Sequence, residues 1–135
     1  MITAVDTNVL VDVFGDDPVF AEASANALRR CTHEGRLVAC DIVWAELAAS
    51  FRSRAMLEEK MDRLAIGFLP LEREAACLAG ETWNRYRARG GQRTRIIAGF
   101  MIAAHAQLQC DRLLTRDRGF YRDLFKKLRL LDPTR

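Results

Sequence analysis

What most restricts the fold of this chain is a unit that occurs three times: a short apolar run, an acid at or just past its end, then a stretch with helical spacing. The run ending at Val5 meets Asp6, Leu37-Val38-Ala39-Cys40 meets Asp41, and Leu113-Leu114-Thr115 is followed by Asp117. Short apolar runs with such boundaries read as buried strands. Between them the apolar spacing predicts helices over 9–14, 19–33, 42–51, 55–66, 72–89, 96–109 and 120–126. Pro18 falls in the first turn of the second helix, and Gly35 and Gly90-Gly91 act as stops. Further strands are expected at 67–71, closed by Pro70, and at 128–131. No tight hairpin signal separates any of these strands, so they must return through helices and lie parallel, with both faces covered. The expectation is an α/β fold: one domain over 1–135, a mostly parallel sheet of four to five strands, and about seven flanking helices.

Composition supports a globular chain. Half of the 135 residues are hydrophobic and 29% are charged, too apolar for disorder. Charges interrupt every apolar run well short of a membrane span, and no basic leader with a cleavage site opens the chain, so a cytoplasmic protein with no membrane association is expected. Cys31, Cys40, Cys77 and Cys110 form no close pair, which argues against a zinc or redox motif and for free buried thiols.

Charge is unevenly placed. Residues 1–84 carry 8 Lys/Arg against 14 Asp/Glu, while residues 85–135 carry 13 against 4. Such a basic half attracts phosphate backbones, and equally describes a solvated face or a dock for an acidic protein.

Asp6 and Asp117 follow strands, and Glu46 lies one turn inside the helix after the second strand. In open parallel sheets ligands gather at the carboxyl ends of strands, which places these three acids around one crevice. Asp6 alone is explained as well by capping the helix that follows it. Three converging carboxylates repel one another unless a cation intervenes, and all-oxygen donor sets suit hard divalent ions such as Mg²⁺. His33 and His105, in helical stretches, read as structural.

In order and spacing, Val5-Asp6-Thr7-Asn8-Val9-Leu10, Trp44-Ala45-Glu46-Leu47 and Leu113-Leu114-Thr115-Arg116-Asp117-Arg118-Gly119-Phe120 resemble the motifs of PIN-domain nucleases, most of all the VapC toxins of bacterial toxin–antitoxin pairs. The resemblance extends over essentially the whole chain. It implies an endoribonuclease dependent on Mg²⁺ or Mn²⁺, inhibited by a cognate antitoxin and usually a homodimer. By that likeness Asp6, Glu46 and Asp117 are metal ligands, while Asn8 and Thr115 orient the acids or a bound water. Arg93, Arg95, Arg116 and Arg118 are candidates to hold RNA phosphates, for which a guanidinium is well shaped.

Gly99 departs from the pattern: the resemblance implies an aspartate there. Fewer carboxylates mean weaker metal affinity and low activity. A second reading follows, a PIN scaffold that binds RNA or an antitoxin without catalysis. A third, a phosphatase of the haloacid dehalogenase type, rests on Asp6-Thr7-Asn8 after a strand, though Asn8 stands where that chemistry places a second Asp. For the partner, the apolar content of 19–28 and 57–66 exceeds what a small sheet covers, which predicts a dimer that also accepts an antitoxin segment over the acids.

Overall fold

The structure, a computed structural model, describes residues 1–91 and 97–135. Five strands and seven helices occur among them: β1 (Ile2–Val5), α1 (Thr7–Phe14), α2 (Ala21–Glu34), β2 (Arg36–Ala39), α3 (Asp41–Ser50), α4 (Arg54–Arg63), β3 (Ile66–Phe68), α5 (Arg73–Ala88), α6 (Ile97–Gln109), β4 (Arg112–Leu114), α7 (Arg118–Leu124) and β5 (Leu130–Leu131). All strand pairs are parallel, in the order β3-β2-β1-β4-β5. Ala4 of β1 lies opposite Val38 on one side and Leu113 on the other.

Successive residues of a strand point to opposite faces. Thr3, Ala4 and Val5 are nevertheless all buried, as are Leu37, Val38 and Ala39, so both faces of the central strands are covered. Helix α6 is buried over most of its length, at Phe100, Ile102, Ala103, Ala104, His105 and Ala106. Its alanines, with Ala75 and Ala79 of α5, let helices approach closely. Among the described residues no helix is long and apolar enough to cross a membrane.

The strand order matters for function. The chain steps outward from β1 to β2 and β3, then returns to the other side of β1 for β4 and β5. The direction of winding therefore reverses between β1 and β4, and a crevice opens at the carboxyl ends of these two strands. At the opposite end of β1, Gly35 brings β2 in beside the chain terminus. A Cβ at Gly35 would sit 2.0 Å from the Met1 carbonyl oxygen, which accepts a hydrogen bond from the Arg36 amide.

Three boundaries differ from the sequence expectation for identifiable reasons. Helix α2 begins at Ala21 rather than 19, because Asp17 Oδ1 accepts from the amides of Val19 and Phe20 and holds them in a separate turn. Helix α4 stops at Arg63 and Ala65 turns to a positive φ of 56°, which frees Ile66 to begin β3. Helix α3 begins at Asp41 rather than 42, because Cys40 holds the cap position; the Asp41 carboxylate accepts from the Leu71 amide beyond β3.

The four cysteines are free but, against expectation, not all are buried: Cys77 is exposed on α5. Burial pushes the Cys31 and Cys40 thiols up and that of Cys110 up to about 12, as expected of packing residues. Of the apolar surplus expected on 19–28 and 57–66, Val19 is exposed while Leu28, Leu57, Met61 and Ile66 are buried; Val11, Met56, Phe68 and Leu108 are exposed outside those stretches.

Candidate active site

Strand β1 ends by delivering Asp6 to the crevice, and there Asp6 does two things. It is the N-cap of α1, Oδ1 accepting from the Thr7 amide at 2.8 Å, and its Oδ2 accepts from the Thr115 hydroxyl at 2.7 Å. Capping and site geometry thus coexist in one side chain. Thr115, fully buried, also accepts from the Asp117 amide at 3.0 Å, so a single hydroxyl joins the end of β1 to the start of the segment carrying the second acid. Asn8 lies beside them: its Nδ2 is 3.5 Å from Asp6 Oδ2 and 3.4 Å from Thr115 Oγ1, and its Oδ1 accepts from the Arg116 amide.

Glu46 reaches the same place from α3. Its Oε1 accepts from the Thr7 hydroxyl at 2.7 Å, a contact not foreseen from the sequence. Asp6, Thr7, Asn8, Glu46, Gly99, Arg116 and Asp117 all line one cleft of about 360 Å³, with Val11, Ile102, Phe120 and Tyr121 as its apolar and aromatic walls. The structure therefore brings together the three acids, both supporting residues and Gly99. Arg93 and Arg95 lie outside the described residues.

Burial pushes the Asp6 carboxyl up from its ordinary value. Hydrogen bonds from Thr115, Tyr121 and the Thr7 amide pull it down, and the charge of Glu46 adds to the rise. Tyr121 is a second residue not foreseen; it stands four positions after Asp117, a helical spacing that puts both on one side of α7. A buried acid beside another acid is costly to ionise, and a cation offsets that cost.

Arg116 and Arg118 were both candidates for RNA phosphates. Arg116 lines the cleft, but its guanidinium forks onto Asp12, Nε to Oδ2 at 2.6 Å and Nη2 to Oδ1 at 2.9 Å. It also stacks 4.0 Å from the Phe20 ring centroid. Asp12 is buried and accepts a further bond from Ser24. The sequence signal for Asp12 was an acid four residues past Asn8 in an otherwise apolar helix. Arg118 is half-buried at the start of α7, outside the lining of the cleft.

Carboxylates without nitrogen or sulfur donors fit a hard dication. The three acids share a cleft, yet no tight group of three His, Cys, Asp or Glu side chains occurs among the described residues. Glu46 is held by Thr7, and Asp6 by Thr7 and Thr115. The donor chemistry fits the ion, while the carboxylates stand apart around the cleft instead of forming a closed cage.

Comparison with known proteins agrees with this architecture. The chain is similar to a chain of VapBC2 from Rickettsia felis bound to a promoter DNA fragment, with a TM-score of 0.77 and 20% identity over 98% of each chain. It is similar to VapBC-1 from nontypeable Haemophilus influenzae, with a TM-score of 0.75 and 20% identity over 100% of each. A toxin–antitoxin complex from Klebsiella pneumoniae gives 0.69 and 17% over 97% of each. At such identities the likeness carries the fold. No curated protein matches in sequence. The family model of the PIN domain matches residues 3–123, from β1 into α7, and the chain belongs to the PIN domain family.

Proposed function

We propose that this protein is a metal-dependent endoribonuclease toxin of the VapC kind, acting on cytoplasmic RNA and neutralised by a cognate antitoxin. The observation that carries the reading is the gathering of Asp6, Glu46 and Asp117 around one cleft at the switch point of the sheet. Asp6, Glu46 and Asp117 would hold Mg²⁺ or Mn²⁺, which when bound supplies Lewis acidity and lowers the pKa of a coordinated water. The protein's own part is positioning. Thr115 fixes Asp6 and the Asp117 backbone through one hydroxyl, Thr7 restrains Glu46, and Asn8 ties the β4–α7 segment to α1. Ile102, Phe120 and Val11 limit the water around the carboxylates, which strengthens any charge interaction made there. Single-stranded RNA suits such an open cleft better than a duplex, because its backbone is accessible.

The partner reading rests on a neighbouring feature. An apolar groove of about 370 Å³, lined by Val11, Phe14, Leu47, Phe51 and Met56, adjoins the acidic cleft through Val11, which lines both. An antitoxin segment laid in the groove can place an Arg among the three acids in place of the metal. Two such chains form a homodimer in this reading.

Gly99 favours a second reading, a scaffold that binds without cutting, since it lines the cleft where an acid is expected. The phosphatase reading draws no support from membership of the PIN family. The test is cleavage of single-stranded RNA in Mn²⁺ by three proteins. This chain should cut slowly, Gly99→Asp faster, and Asp6→Asn not at all. RNA binding without cleavage by this chain would support the second reading instead, whether or not Gly99→Asp cuts.

A further inference from the structure

The basic half of the chain divides sharply once it is folded. Arg112 is buried in β4, with Nε bonded to Thr3 and Nη2 to Glu34. Arg116 is held by Asp12, Arg87 stacks on Trp83, and Arg122 faces Asp123 at 3.7 Å. Four cations are left that converge on one depression: Arg85 in the last turn of α5, Arg89 at its C-cap, and Lys126 and Lys127 just past α7. They line a cleft of about 390 Å³ together with Thr82, Gln107 and Phe125. All four are exposed, and none makes an ion pair among the described residues. Arg85 is set in place by a bond from Nη2 to the buried Thr82 hydroxyl. The one acid in the lining, Asp123, already faces Arg122.

Four like charges around a concavity repel one another, and nothing in the packing of the described residues requires them. An anion with charge distributed along its length relieves the repulsion at every position. The cleft also has a fixed relation to the acids. Helix α7 begins beside Asp117, and its end, at Asp123 and Leu124, lines the basic cleft. Seven residues of helix put the two openings about 10 Å apart along its axis, a distance that a few nucleotides of extended strand span. The geometry points to a second RNA site: Arg85, Arg89, Lys126 and Lys127 bind the phosphate backbone of the single strand whose neighbouring segment enters the acidic cleft. The choice of RNA rests on the proposed nuclease function; the anion site itself rests on the four cations.

The test is fluorescence anisotropy of a labelled, mixed-sequence single-stranded RNA with the full chain in EDTA, so that nothing is cut. Lys126→Glu/Lys127→Glu should weaken binding at least about tenfold. It should also lower the slope of log affinity against log salt by about 1.4, two phosphate contacts at about 0.7 each on a single strand. Arg30→Glu/Arg73→Glu, the same charge change on exposed residues of α2 and α5 outside this cleft, should leave the slope unchanged. Equal losses from both double variants, or none from the first, would overturn the site. Equal loss of affinity for a polyglutamate peptide would overturn the assignment to RNA. Cleavage by Gly99→Asp in Mn²⁺ is scored separately. Cleavage with unaltered binding sinks this inference alone, and altered binding without cleavage sinks the nuclease reading alone.

Discussion

The guanidinium of Arg116 meets the buried Asp12 carboxylate through two nitrogens, and so fastens the segment between Thr115 and Asp117 to the inner face of α1. Removal of the two partners should have unequal effects. Arg116→Ala leaves a carboxylate 2% exposed with Ser24 as its remaining hydrogen-bond donor, and should destabilise the fold by about 2–4 kcal/mol, somewhat below a wholly buried pair because Arg116 is 27% exposed. Asp12→Ala leaves a guanidinium that can turn to solvent and keep Phe20, and should be milder. Urea denaturation of both variants decides it; equal losses would show that the Asp12 charge is not what the pair exists to neutralise.

How much of this was legible in the sequence depends on the range of the interaction. The alternation of apolar runs and helical spacing predicts the parallel sheet because each strand and helix carries its own pattern. The crevice acids were legible because each stands at a strand end or one turn beyond. The pairs Arg116–Asp12, Thr7–Glu46 and Tyr121–Asp6 were not, since each joins residues far apart in the chain and leaves no local period. The same applies to the basic cleft: in sequence Arg112, Arg116 and Lys126 are equally cationic, and burial and partners alone separate them.

Asp6 gives a pH signature. Its carboxyl is pushed up by burial from an ordinary value of 3.8, so the folded chain holds this proton more tightly than the unfolded chain. The associated stability is fully present below pH 3.8 and is lost as pH rises through the folded value. In EDTA the stability difference between the wild-type chain and Asp6→Asn should therefore shift in favour of the variant as pH is raised from about 3.5 to 7. Mn²⁺ should raise the melting temperature of the wild type and not of the variant. A pH-independent difference would mean that Asp6 ionises in the fold as readily as in water.

His105 runs the opposite way. It is buried in α6, its Nε2 lies 2.9 Å from the Leu69 carbonyl, and its Nδ1 has no hydrogen-bond partner among the described residues. Burial holds its pKa below the ordinary 6.5, against the carbonyl, Asp41 and Glu72, which favour the proton. The unfolded chain thus takes up the proton first, and stability present above pH 6.5 is lost as pH falls below it. His105→Gln, which keeps a donor for Leu69, should have a flatter stability profile between about pH 7 and 5. Identical profiles would show that the ring takes up its proton in the fold as readily as in the unfolded chain.

Gly99 separates ligand chemistry from helix chemistry. It is the third residue of α6, and a Cβ there would meet Phe120 Cε2 at 3.4 Å and the Tyr121 oxygen at 3.8 Å, ordinary contacts that require nothing to move. Neither packing nor a positive φ holds glycine at this position. Gly99→Ala should accordingly stabilise the metal-free chain by up to about 1 kcal/mol, the usual gain from removing a glycine from a helix. Gly99→Asp has the same backbone benefit and a favourable place in the first turn, but it adds charge to a cleft that already contains Asp6, Glu46 and Asp117. In EDTA it should be less stable than Gly99→Ala. In Mn²⁺ the order should narrow or reverse, with a rise in melting temperature larger than that of the wild type, whereas Gly99→Ala, which adds no ligand, should rise only as much as the wild type does. If Mn²⁺ shifts all three proteins equally, position 99 takes no part in holding the ion, and the weak point of the site must be sought at Glu46 and its bond to Thr7.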